Sequence, residues 1–138
     1  MGKINNGRCY LRGLDMARQT ISSGHSFEPV LGYSRAVKVG NSIHVSGTTS
    51  DGADAYDQAT KILKIIKDAL VEAGAGPEHV VRTVIYVTDM ELHANGVTKA
   101  HGEMFGDTRP ASTLVAVSGL LRPAVFVSIE VYVRVWTG

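Results

Sequence analysis

The chain has 138 residues, 44% of them hydrophobic, a size and composition that suit one globular domain with a real core. Fourteen Lys and Arg stand against 13 Asp and Glu, so the net charge of +1 supplies no long-range field for nucleic acid, anionic lipid or a polyanionic substrate. Cys9 is the single cysteine, which excludes an internal disulfide and a cysteine-rich metal framework, and no apolar run nears the ~18 residues that span a bilayer.

Residues 1–16 show neither helical nor strand periodicity and no apolar stretch of a secretory kind, so they are expected as a flexible extension ahead of a single domain at 17–138. A cytoplasmic protein is the corresponding expectation. Residues 18–22 suit a short strand, and the Gly, Pro and Ser of 22–32 suit a loop. Residues 33–39 alternate, with Tyr33, Arg35, Val37 and Val39 on one side. Gly40-Asn41 then turns the chain into a strand where Ile43, Val45 and Gly47 oppose His44, Ser46 and Thr48, which predicts a hairpin with one apolar face. Ala59, Ile62, Leu63, Ile66, Ala69, Leu70 and Ala73 recur at helical spacing and predict a helix over 53–73, stopped by Gly74, Gly76 and Pro77.

Residues 80–88, dense in β-branched side chains, predict a central strand with Val81, Thr83, Ile85 and Val87 on one face. A second, more polar helix over 92–105 gathers Val97, Ala100, Met104 and Phe105, although Gly96 and Gly102 weaken it. Strands follow at 112–117 and 125–136, the last alternating valines and Ile129 against Phe126, Ser128, Glu130, Tyr132, Arg134 and Trp136. This order is α+β, without the strict strand–helix alternation of a doubly wound sheet. Two helices cover one face of a mixed sheet, so the other face, with its Tyr, Ser, Thr and Glu, is expected to meet other subunits.

No glycine-rich phosphate loop and no nucleophile elbow occurs. His25, His44, His79, His93 and His101 lack metal-ligand spacing; they are expected as surface or capping residues, and no metal is assigned. Arg8, Arg12 and Arg18 lack interleaved aromatics and read as a solvated tail.

Four segments remain: Tyr33-Ser34-Arg35-Ala36-Val37, His44-Val45-Ser46-Gly47-Thr48, Arg109-Pro110-Ala111-Ser112-Thr113 and Ile129-Glu130-Val131. In register over about 32–135, they resemble the Rid family, the reactive intermediate deaminases earlier described as endoribonuclease L-PSP or translation-inhibitor proteins. The resemblance implies a chorismate-mutase-like fold, a homotrimer, and small-molecule clefts between subunits that hydrolyse enamines or imines without metal or cofactor. It also implies that Tyr33 closes the cleft and that Ser46 and Gly47 face the ligand. Two family features are replaced. Ser112 stands where the deaminating branch has an arginine that grips the substrate carboxylate, and Ser128 stands at the first of two glutamates, leaving Glu130 at the second.

Chemistry gives these replacements their weight. A guanidinium holds a carboxylate by two charge-assisted bonds, each worth about 1.5–3 kcal/mol, and a serine hydroxyl has neither the charge nor the reach. Arg35, Arg109 and Arg122 are the alternative cations, and strand parity argues against Arg109. Ser112, Thr113 and Ser128 give a hydroxyl-rich lining that suits a neutral or hydroxylated ligand. Glu130, on the polar side of an otherwise apolar strand, is the candidate acid/base; the plainer reading pairs it with Arg134 or a neighbour's arginine. Three functions stay open: a cofactor-independent enamine or imine hydrolase, a non-catalytic binding or sensing trimer, and a ribonuclease or translation inhibitor, which the charge balance disfavours.

Overall fold

The computed structural model describes residues 17–136 and, ahead of them, the backbone of three short strands, β1 (Lys3–Asn5), β2 (Arg8–Leu11) and β3 (Leu14–Asp15). These pair antiparallel in a small sheet of their own. The rest of the extension expected over 1–16 lies outside the described residues.

The main sheet contains β4 (Arg18–Ile21), β5 (Ala36–Val39), β6 (Ser42–Thr48), β7 (Val80–Val87), β8 (Ala111–Ala116) and β9 (Val127–Arg134), in the order β4-β5-β6-β9-β7-β8. Between β6 and β7 runs α1 (Ala55–Glu72), and between β7 and β8 runs α2 (Met90–Phe105). The α2 crossover returns the chain to the same end of the sheet, so β7 and β8 are parallel while every other pair in the sheet is antiparallel. This is the mixed sheet with helices on one face that the element order predicted. The Asp54 and Asp89 carboxylates cap the helices by accepting from the amides of Asp57 and Leu92, at 2.8 and 3.0 Å.

The core lies between the helices and one face of the sheet. Ile62, Leu63, Ile66 and Leu70 of α1 meet Ile43 and Val45 of β6, Ile85 and Val87 of β7 and the four inward residues of β9, all buried. Each such aliphatic side chain contributes about 1.5–3 kcal/mol by leaving water. Gly96, read from sequence as a weak point of α2, has a packing reason: a Cβ there would lie 2.9 Å from the Tyr56 amide nitrogen, so glycine lets α2 close on α1. Gln58 is fully buried and satisfied, its amide donating to the Ala124 carbonyl at 2.8 Å and accepting from the Phe126 amide at 2.9 Å.

Two details correct the hairpin pattern. Val37 and Val39 pair with His44 and Ser42, which places them on the open face; the inward set is Ala36, Ile43 and Val45, joined by Lys38, whose ammonium donates to the Ala73 carbonyl at 2.7 Å beside the C-terminal end of α1. Further along β6, Val45 opposes Val131 but Thr48 opposes Ile129, so a bulge falls at Ser46-Gly47. Past it the alternation inverts, and Thr48 is buried although simple period-two counting grouped it with His44.

Candidate functional site

The bulge is where three of the expected residues meet. The Ser46 amide donates to the Arg35 carbonyl at 2.9 Å and its hydroxyl to the Ser34 carbonyl at 2.6 Å, which locks the side chain to the neighbouring segment. Gly47 is exposed and its missing Cβ would sit 3.2 Å from the Ser128 hydroxyl, so glycine keeps the serine of β9 uncrowded. Arg35, behind this pair, donates from Nη1 to the Thr48 hydroxyl at 2.7 Å, while its buried Nε has no partner.

Two residues beyond Ser128 on the open face, Glu130 Oε1 accepts from the Tyr86 hydroxyl at 2.8 Å. That bond, ahead of burial, holds the Tyr86 phenol above its ordinary range, so it remains a donor. Arg134, the same-strand partner expected for Glu130, reaches the Ser42 hydroxyl at 3.4 Å instead. Tyr86 went unnoticed in the sequence because nothing in spacing links positions 44 residues apart.

Tyr33 is half-buried and follows a wide turn, Glu28–Gly32, closed by its own amide on the Glu28 carbonyl at 3.1 Å. Gly32 supplies the left-handed conformation, φ +83°, that lets the chain leave the turn extended. The Glu28 carboxylate binds the amide and hydroxyl of Ser23 and the hydroxyl of Ser22, and the Ser23 hydroxyl chiefly holds its titration below the ordinary carboxylate range.

Ser112 and Thr113 are neighbours on β8 and project to opposite faces. Thr113 shares the open face with Arg82, whose guanidinium lies 3.5 Å from its hydroxyl. Ser112 is on the helix side, where its hydroxyl accepts from Thr83 at 2.7 Å, and Thr83 Oγ1 lies 2.9 Å from His101 Nε2. Within one chain, therefore, Ser112 does not join Ser128 and Glu130 on one surface. The alternative cations are placed apart from it: Arg122 pairs with Asp51 at 3.0 Å, and Arg109 is exposed at the α2–β8 turn with φ 55°.

Two histidines depart from the surface or capping expectation. His93 is buried and stacks on Phe126 at 4.4 Å, beside a surface cavity of about 360 Å³ between the N-terminal ends of the helices; His101 is half-buried in the hydroxyl chain just described. His79 does cap its turn, accepting from the Gly76 amide at 3.2 Å. Among the described residues no cluster of three or more His, Cys, Asp or Glu forms a metal site, and no helix is long and apolar enough to cross a membrane.

A mixed sheet with helices on one face and a bulged, hydroxyl-lined open face defines the chorismate-mutase-like class of fold. The family model described as Endoribonuclease L-PSP matches residues 23–135. The crystal structure of Rv2704 from Mycobacterium tuberculosis, a member of the YjgF/YER057c/UK114 family, superimposes with a TM-score of 0.83 at 42% identity, covering 86% of this chain and 99% of that one. PA3499 from Pseudomonas aeruginosa, a protein of unknown function, gives 0.77 at 30% identity over 86% and 92% of the two chains. A RutC family protein of Pyrococcus abyssi is 33% identical, over 76% of this chain and 88% of its own. The chain belongs to the Rid/YjgF/YER057c/UK114 (endoribonuclease L-PSP) family.

Proposed function

We propose that the chain acts as a homotrimer that holds a small metabolite in clefts between subunits and hydrolyses an enamine or imine to carbonyl and ammonia. Family membership supports the binding role, and the Glu130–Tyr86 pair carries the catalytic one: a carboxylate kept in place by a phenol donor, on a sheet face without helices. In this reading water adds to the C=N carbon, Glu130 takes the proton that water loses, and a proton passes to nitrogen as ammonia departs. Tyr33, Ser46, Gly47, Thr113 and Ser128 line the cleft, with Ser112 reached from its edge. No cofactor takes part.

A second reading, binding or sensing without turnover, is favoured by one observation. Neither Ser112 nor Ser128 brings the charge that the deaminating branch has at these positions. Ammonia release from imines generated in situ by an amino-acid oxidase separates the two. Glu130→Gln should lower the rate by about 10²- to 10⁴-fold, the usual contribution of an acid/base group. An undiminished rate removes Glu130 from the mechanism, and no release above the spontaneous rate by wild type leaves the binding role alone. Light scattering that finds a monomer removes the inter-subunit cleft.

A further inference from the structure

Thr83 is fully buried on the inward face of β7, beside Ile85 and Val87, and a lone hydroxyl there needs hydrogen-bond partners. It has them: the exposed Ser112 hydroxyl at 2.7 Å toward the edge of the sheet, and His101 Nε2 at 2.9 Å toward α2. The three form a continuous hydrogen-bonded chain between an imidazole and a surface hydroxyl. Its polarity is set at one end. With Nε2 carrying a proton, His101 donates to Thr83, Thr83 to Ser112, and the Ser112 proton is left to point outward. With Nε2 bare, both bonds reverse, and Ser112 offers its oxygen to a ligand donor.

We propose that Ser112, Thr83 and His101 form a proton-dependent ligand anchor: with His101 charged, it grips the carboxylate of a small 2-oxo or imino acid, and with His101 neutral and Nε2 bare, it accepts a hydrogen bond from a neutral hydroxyl-bearing ligand. This rests on the reading above that a ligand reaches Ser112. An imidazolium donates only, so protonation fixes the chain in its outward-donating direction and makes its first bond charge-assisted. The family's permanent cation at this position is thereby replaced by a conditional one, two hydroxyls further back.

The surroundings of His101 leave its charge to the solvent pH. Burial alone depresses its titration, and no neighbouring charge adds to the shift. On α2, Glu103 is taken by the Tyr56 hydroxyl and Lys99 lies 4.6 Å over the Tyr56 ring. On β7, Arg82 is on the opposite face, and from β8 the hydroxyl of Ser112 is what faces the chain; Phe105 contributes only a ring, 4.8 Å away. Charging therefore occurs below the ordinary imidazole value, and affinity for an anion rises as pH falls through that range.

The test uses pyruvate as the probe with the full chain, measuring binding from about pH 8 to about pH 5, the span over which imidazoles titrate, and following His101 by NMR. The expected result is an affinity about fivefold higher at the acid end, with saturating pyruvate raising the His101 midpoint by the matching amount, since coupling is reciprocal. Thr83→Val, and separately Ser112→Ala at the exposed end, should leave His101 titrating but abolish both effects. A wild-type affinity that ignores pH, or a pH effect that survives Thr83→Val, overturns the anchor. Ser112→Arg separates this from the wider reading: if it binds pyruvate while wild type binds none at any pH, the anchor falls and the cleft stands, and if neither binds, both fall.

Discussion

On β9, Val127, Ile129, Val131 and Val133 face the helices and are at most 3% exposed, while Ser128, Glu130, Tyr132 and Arg134 alternate with them on the open side. One strand thus serves two masters. The inward face is chemically uniform and interchangeable, and its work is to exclude water. Outward, each position is individual: a serine beside a glycine, a carboxylate on a phenol, a guanidinium on a hydroxyl. The contrast teaches that the two faces fail differently, the first by loss of stability and the second by loss of a specific contact.

The largest effect should come from the inward face. Ile129→Ala, fully buried in the middle of the sheet, is expected to cost about 2–5 kcal/mol in chemical denaturation, and a cost below that of an exposed substitution would show that this face is not the core. Gln58→Leu tests a polar exception within the same layer. It keeps the volume but strips partners from the Ala124 carbonyl and the Phe126 amide, so about 1–3 kcal/mol should be lost, while a neutral result would mean that water replaces the amide. The smallest effect belongs to the surface turn before Tyr33. Because the titration of Glu28 is lowered by its serine partners, its contribution is complete above the ordinary value of 4.5 and is lost as pH falls through the depressed one. Protection of the Ser23 and Tyr33 amides, taken against their intrinsic exchange rates, should fall over that acid range, and Glu28→Gln should show the lower protection already at neutral pH.

The elements themselves were legible because hydrophobic period is a local property: the valines of β9, the α1 stripe and the glycine stops each lie within a few residues of what they predict. The hidden features are non-local. Thr83 and Ser112 are 29 residues apart and Gln58 and Phe126 are 68 apart, and only the parallel β7–β8 pairing and the α1–β9 packing bring them together. The bulge escaped for another reason. One added residue inverts every later side chain, and Gly47 alone hinted at it. Ser112 and Thr113 were read as one lining although adjacent strand residues point apart, a separation that the resemblance to known sequences does not express.

The strand that occupies the middle of the sheet, β9, is the last of the described strands in chain order. During synthesis, β4–β6 and β7–β8 leave the ribosome as two unjoined ribbons, each with a bare inner edge waiting for it. Closure of the sheet therefore waits for β9: a nascent chain halted at the β8–β9 connection exposes two strand edges that suit strand addition from other chains. Truncation within β9 would divide the molecule rather than trim it.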